Sequence, residues 1–305
     1  MKRTPRSIKL AALAAAGVLV FAACGSDSNS AVTTTAAPAT TAAPGTTAAA
    51  QTAAECAKGK TLTADVLTIA TGNPAYPPYV LDDKPESGQG FESALALAVA
   101  KDMGFEGAAV KWVRTDFDSA VAGTADTFDF NLQQFTINAD REKVVSFSTP
   151  YYTANQAVLG YATGAGATVK TLADLKKLKL GAAAGTTSLQ FITDVIKPDV
   201  EPFAFNSNAD AKTALDNKQI DAIVTDLPTA LYISAVEISG TKVFGQFPTS
   251  AGGAGDQWGL LFVKDNPLVA CVNTALATIT ASGELDTITK KWMGDYTEAP
   301  ALGTD

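Results

Sequence analysis

Apolar and polar positions fall into three regimes along the chain. A run of small and apolar residues, roughly Leu10–Ala23, follows Lys2, Arg3, Arg6 and Lys9. Next comes "SDSNSAVTTTAAPATTAAPGTTAAAQTAAE", which has no large apolar residue beyond Val32. Such a stretch cannot bury a core and is expected to stay disordered. From about Leu62 the pattern changes to alternating strand-like and helix-like periods.

"LTIATG" reads as a short strand stopping at Gly72, and "GFESALALAVAKDMG" places residues 91, 94, 95, 98 and 99 on one helical face that stops at Gly104. "AAVKWVRT" is predicted as a strand, "DFDSAVAG" as a short helix capped by Asp116 or Thr115, and "FDFNLQQF" as a strand. A second series starts near residue 170. "TLADLKKL" is a short helix that Thr171 can cap, "LKLGAAA" a strand, and "GTTSLQFITDVI" a glycine turn entering a helix. "ADAKTALDNKQ" is a helix, "IDAIVTD" a buried strand, and "LPTALYISAV" a helix with Pro228 in its first turn. "TKVFGQF" and "QWGLLFV" are strands, and "NPLVACVNTALATITASG" and "ELDTITKKWMG" are closing helices. This alternation predicts an α/β fold with an open, largely parallel sheet and helices on both faces. Two such series in one chain predict two lobes with a cleft between them.

Charge narrows the possible partners. The 305 residues carry a formal net charge of −8. Removing the first ten residues takes away four of the 23 basic residues, leaving 19 against 31 acidic ones, a net of −12. So acidic a body argues against nucleic acid, which needs basic stripes. The absence of histidine removes the commonest general base and metal ligand, and three cysteines argue against a zinc site. No cofactor or metal is expected. Arg141 stands out, because past residue 10 nearly all the positive charge is lysine. Arginine differs in offering a planar fork that meets a carboxylate bidentately.

Residues 1–23 read as a signal peptide: a basic segment, a short apolar segment and a small-residue cleavage site. The apolar run is shorter than the ~20 residues needed to span a bilayer. Its end, "VFAAC", resembles a bacterial lipobox, with Phe21 where leucine is usual; the resemblance implies lipidation at Cys24. An ordinary secretory signal with Cys24 incidental is the alternative. Residues 24–57 are expected to form an Ala/Thr/Pro tether, or equally an O-glycosylated stalk.

In order and spacing, "YPPY" (76–79), "GFE" (90–92), "DFDSAVAG", "FTINADREKVVSFSTPYY", "LGAAAGTTS", "IDAIVTD" and "WGLLFVKDNPLV" resemble the family 3 extracellular solute-binding proteins. These include receptors for polar amino acids that serve ABC importers. The resemblance, which also takes in the tail "NTALATITASGELDTITKKW", covers about residues 66–296. It implies a two-lobe periplasmic-binding-protein fold of type II, joined by two hinge strands near Tyr152–Gln156 and Ala251–Gln257. Residues 58–154 and 256–300 are expected in the first lobe and 155–255 in the second.

A free amino acid presents a carboxylate and an ammonium, and each needs a partner once buried. By resemblance Arg141 receives the carboxylate, helped by Thr136 and by the N–H groups of the "GTTS" turn at Thr186 and Thr187, which opens a helix. Asp226, at the end of a buried strand, receives the ammonium with Thr136 and the Gln134 carbonyl. Tyr76 and Phe117 match positions that sandwich the ligand's side chain. Asn73 stands where receptors for cationic amino acids often carry an acid. With Gln133 and Gln134 it points to a polar neutral side chain. Each residue also has a plainer reading. Arg141 can pair with Asp140 or Glu142, Asp226 can cap the following helix, "GTT" can be a simple turn, and the aromatics can be core.

After lipidation of Cys24, two cysteines remain in an oxidising compartment, and Cys56 and Cys271 are expected to form a disulfide; the alternative is a buried free Cys271. The whole reading is a monomeric receptor, exported and anchored by lipid to the outer face of a bacterial cell membrane. It would close on an amino acid and present the closed form to an ABC permease. Two other readings share the fold: an enzyme resembling cyclohexadienyl dehydratases, with Glu92 or Asp118 as the acid, and a sensor feeding a membrane partner.

Overall fold

The computed structural model describes residues 51–248, 255–296 and 298–302. The signal segment, Cys24 and the tether as far as residue 50 lie outside the described residues, as does most of the expected second hinge.

The chain opens with helix α1 (Ala53–Ala57) and strand β1 (Leu67–Gly72), then α2 (Phe91–Asp102), β2 (Val110–Thr115), α3 (Phe117–Val121), β3 (Phe130–Asn131) and β4 (Val145–Phe147). Strand β5 (Tyr152–Ala154) leads out of this lobe. The second lobe holds β6 (Gln156–Tyr161), α4 (Leu172–Leu175), β7 (Leu180–Ala183), α5 (Thr187–Phe191), β8 (Phe203–Phe205) and α6 (Asn208–Asp216). It continues with β9 (Ala222–Asp226), α7 (Leu227–Tyr232) and β10 (Thr241–Phe247). Strand β11 (Asp256–Trp258) leads back to β12 (Leu261–Val263), α8 (Leu268–Ala281) and α9 (Glu284–Met293).

The first sheet has the order β2-β1-β3-β12-β4 and the second β10-β6-β9-β7-β8. Each is mixed rather than largely parallel. In the first, β1 runs parallel to β2 and β3, while β12 is antiparallel to β3 and β4. In the second, β6 is antiparallel to β9 and β10, while β7 runs parallel to β8 and β9. The antiparallel strands are those that follow the crossings. A chain that leaves one lobe and returns to it enters each sheet against the βα direction. The crossing strands pair with each other, Tyr152 opposite Trp258 and Ala154 opposite Asp256, as a separate antiparallel ribbon.

Strand β1 is buried at every position because β2 and β3 flank it and helices cover its faces. Its lobe packs Phe91, Leu95 and Val99 of α2 with Trp258, Leu276 and Ile279. Helix α2 starts at Gly90, which takes φ +110°; a Cβ there would lie 2.3 Å from the Tyr79 carbonyl oxygen, so only glycine lets the two segments touch. Thr171 caps α4 and Pro228 sits in the first turn of α7, both as the sequence predicts, and Asp174 makes the Thr171 cap reciprocal.

Four boundaries need correction. Residues 53–57, assigned to the tether, form α1. Thr52 and Glu55 make a reciprocal cap, and Ala53, Cys56 and Ala57 are buried in the first lobe's core, so small residues that look like linker fill a tight seat on α8. "FDFNLQQF" is a strand only at Phe130–Asn131, because Gln134 takes φ +50° and turns the backbone out of the sheet. "QWGLLFV" splits into β11 and β12 at Gly259. Finally, the first lobe does not run to residue 300. The Gln246 N–H donates to the Pro300 carbonyl (2.8 Å), the Leu302 N–H donates to the Gln246 carbonyl (2.9 Å), and Leu302 joins the second lobe's core with Val158 and Phe247. Gly245 makes the room: a Cβ there would sit 2.6 Å from Leu302 Cγ.

The disulfide between Cys56 and Cys271 is formed, with Cα atoms 5.3 Å apart, and ties α1 to α8.

Candidate ligand-binding site

A cavity of about 550 Å³ lies between the lobes. Its floor and walls come from the C-terminal ends of β1, β2, β7 and β9 and the loops that follow, where open α/β sheets hold ligands. The ten residues singled out in the sequence all line this one cavity: Asn73, Tyr76, Phe117, Gln133, Gln134, Thr136, Arg141, Thr186, Thr187 and Asp226.

Arg141 opens a single turn of 3-10 helix and is only 8% exposed. Its guanidinium lies over the Phe117 ring, 5.4 Å from the centroid, and Phe117 stacks on Phe135. Nη1 donates to the Thr136 carbonyl at 2.8 Å and Nη2 to the Gly185 carbonyl of the opposite lobe at 3.0 Å. The pairing with Asp140 does not form, since Asp140 meets Lys143 at 2.6 Å. Arg141 is thus a buried cation aimed into the cleft, and its remaining N–H donors can meet an anion. Burial pulls its pKa down, while Asp256 and Asp226 oppose that shift.

Asp226 occupies the cap position of α7 but makes no capping bond; its carboxylate takes a hydrogen bond from Gln156 Nε2 at 3.2 Å. Burial and then the charge of Asp256 push its pKa well above the usual carboxylate range, against the pull of Arg141. The same Gln156 nitrogen also donates to Asp256, and Thr187 Oγ1 donates to Asp256 at 3.3 Å. Glu92, 2% exposed, adds a buried carboxylate on the first-lobe wall. Arg141 therefore shares the cleft with Asp226 and Glu92, with Asp256 beside Asp226, a surplus of acidic groups that an ammonium would relieve.

Thr186 caps α5 by accepting from the Leu189 N–H at 3.2 Å, so the first turn of that helix faces the cavity, next to Arg141. Thr136 and Thr187 bring their hydroxyls to 3.4 Å across the lobes, and the hydroxyls of Tyr79 and Thr229 meet across them at 2.9 Å. With the Arg141–Gly185 bond, these contacts make the arrangement a closed one.

Gln133 is fixed on the first-lobe wall. Its Nε2 donates to Thr115 Oγ1 (2.8 Å) and Asn131 Oδ1 (3.1 Å), which leaves Oε1 for the cavity. The Gln134 amide is engaged within the cavity wall, its Nε2 donating to Glu92 Oε2 at 2.5 Å. Tyr76 extends toward Ser207 and Asp210 of the second lobe, its hydroxyl buried with no partner in hydrogen-bond geometry among the described residues. Asp116, Asn206, Asn208 and Asp210 also line the cavity. No group of three or more His, Cys, Asp or Glu among the described residues is arranged to hold a metal ion.

The sequence reading passed over Asp256 and the role of Glu92. Asp256 follows a glycine-rich stretch with no local pattern to mark it. Glu92 sits in the first turn of a helix, where an acid is ordinary; its one signal is a carboxylate set against an apolar face.

The family model for bacterial extracellular solute-binding proteins, family 3, matches residues 67–295, most of the chain. The chain belongs to this family. Among relatives, it is 29% identical over 239 residues to the arginine-binding periplasmic protein of Mannheimia haemolytica, covering 77% of this chain and 95% of that one. It is 31% identical over 215 residues to the ABC transporter glutamine-binding protein GlnH of Bacillus subtilis (strain 168), covering 68% and 75%. Among solved structures, an ancestral arginine-binding protein bound to glutamine superposes with a TM-score of 0.65 at 31% identity, covering 76% of this chain and 99% of that one. This family 3 protein is a solute-binding component and not an enzyme, with the periplasmic-binding-protein fold of type II.

Proposed function

We propose that this substrate-binding component of an amino-acid ABC transporter is anchored by lipid at Cys24 and closes its lobes on one free amino acid. One observation carries the reading. A single cleft holds a buried guanidinium with N–H donors to spare and, on the other lobe, a buried carboxylate crowded by a second one. That pair complements a zwitterion: Arg141 and the α5 turn take the ligand carboxylate, and Asp226 takes the ammonium with Thr136 and the Gln134 carbonyl. The closed form would then be read by a permease.

At the side-chain end, Gln133 turns its donor inward and offers an acceptor, so the ligand side chain brings N–H donors. A polar neutral amide such as that of glutamine fits this and fits Asn73. Asp116 and Asp210, which also line the cavity, favour a second reading, a longer side chain ending in a cation, which agrees with the arginine-binding relatives.

Thermal-shift measurements against the twenty amino acids and cystine test the reading. A ligand at 100 times its Kd adds ~2.7 kcal/mol, which raises Tm by roughly 5–10 °C in a domain of this size. A set in which no amino acid moves Tm would overturn it. For the anchor, Cys24→Ser should release the exported protein from membranes; cleavage elsewhere with no acyl mass would sink that part.

A further inference from the structure

Glu92 lies in the first turn of α2, 2% exposed, and its carboxylate sits against three donors. Oε1 accepts from the Gln134 N–H at 2.8 Å and from the Tyr151 hydroxyl, and Oε2 accepts from Gln134 Nε2 at 2.5 Å. Gln134 is held at both its backbone and its side-chain amide, and it is a non-glycine residue at φ +50°. That conformation costs about 1–2 kcal/mol for an ordinary residue, so something must hold it. The segment held in this way carries Gln133 on one side and Thr136 on the other, both on the cavity wall. Tyr151 directly precedes β5, so the same carboxylate ties the cavity wall to the crossing ribbon.

We propose that Glu92 is a positioning residue: its ionised carboxylate clamps Gln134 into the cavity wall and links it to the hinge, so that ligand binding and loss of a proton from Glu92 go together. This rests on the amino-acid reading of the cleft. A carboxylate accepts all three hydrogen bonds at once, whereas a carboxylic acid turns one oxygen into a donor and must give up at least one of them, the Tyr151 hydroxyl then having to rotate to accept.

The surroundings set the proton's balance. Burial raises the Glu92 pKa to about 7, and the bonds from Tyr151 and Gln134 restrain that rise. The other charged or titratable groups facing this region are Tyr79, whose hydroxyl meets Thr229, and Asp226, itself beside Asp256 and Arg141. The charge of Glu92 in turn raises the pKa of Asp226, so an ammonium arriving at Asp226 favours the ionised form of both carboxylates. The sign follows. The clamp is complete above the Glu92 pKa. As pH falls through about 7, a proton must be expelled for the ligand to bind, and affinity falls by up to tenfold per pH unit.

The test has two arms. In ligand-free protein, the 13C resonance of the Glu92 carboxyl should titrate near pH 7, and Tyr151→Phe should move that midpoint upward, because a donor to the carboxylate is lost. Glu92→Gln should speed amide exchange at Gln134 at least tenfold. In the second arm, L-glutamine and L-arginine are titrated calorimetrically at pH 6, 7 and 8 in buffers of different ionisation heat. Wild type should release a proton on binding at pH 6 and 7. Glu92→Gln should bind at least tenfold more weakly at pH 8 and lose the proton release. A Glu92→Gln protein that keeps the wild-type pH slope assigns the proton to Asp226 and overturns the proposal. So does unchanged Gln134 exchange. If Glu92→Gln does not fold, Tyr151→Phe decides: a shifted pH profile supports the clamp and an unshifted one refutes it. If neither amino acid binds wild type, the two proposed side-chain types are what fail, and the first arm still decides the clamp.

Discussion

Replacing Arg141 isolates the interaction on which the binding proposal turns. The guanidinium is buried, uses two carbonyls as fixed partners, lies over the Phe117 ring and feels the charges of Asp256 and Asp226. Arg141→Ala would leave a ligand carboxylate buried without its cation. Breaking a buried pair by removing one partner costs about 3–5 kcal/mol, which is roughly two to four powers of ten in Kd. It would also remove the bond to the Gly185 carbonyl, one of the contacts that hold the lobes closed. Arg141→Lys keeps a charge but not the fork. A single ammonium cannot hold the Thr136 and Gly185 carbonyls and still meet a carboxylate through two parallel bonds. Losing one bond to a charged group costs about 1.5–3 kcal/mol, so the lysine variant should bind roughly ten- to a hundredfold more weakly than wild type. The assay is calorimetric titration at pH 7.5 with the amino acid that gives the largest thermal shift, and circular dichroism verifies the fold. A folded Arg141→Ala protein that binds within threefold of wild type would refute the reasoning. A lysine variant equal to wild type would show that charge matters and the fork does not.

Two further predictions concern the scaffold. The disulfide closes a loop of 215 residues and neither cysteine lines the cavity; reduction should therefore lower Tm by on the order of 10 °C, from a typical 2–4 kcal/mol, with affinity changed less than twofold, and a tenfold loss of affinity would contradict the separation of bridge and cleft. Gly185 has φ +68°, and a Cβ there would lie 2.3 Å from Asp118 Oδ1 of the facing lobe. Gly185→Ala should destabilise open and closed forms alike by about 1–2 kcal/mol through its backbone and also weaken binding through the contact made only on closure. Adding Asp118→Ala should restore affinity but not Tm; strictly additive effects in that double-mutant cycle would count against a closure contact.

Much of the arrangement was already determined by short-range features of the sequence. Apolar runs bounded by glycine and proline gave the strands and helices, and their two series gave two lobes. A glycine turn entering a helix at Thr186–Thr187 and an acid ending the β9 strand are local signals, because a chain position at a strand end or helix start has the same neighbours wherever the element packs. For the same reason the cap at Thr171 could be read from the sequence. What sequence could not decide depends on segments far apart along the chain. Gln134 commits an N–H of its amide to Glu92, 42 residues earlier, a partner that no local pattern announces. Asp256 gains its meaning only when the crossing ribbon sets it beside Asp226 and Gln156, which shares one nitrogen between them. The small residues before Cys56 look like linker until α8 supplies a surface to cover them, and Leu302 looks like a tail until Gly245 leaves it a seat. Composition and periodicity report how much apolar surface a segment has; which surface buries it, and which buried charge then lacks a partner, is fixed only when the distant segments meet.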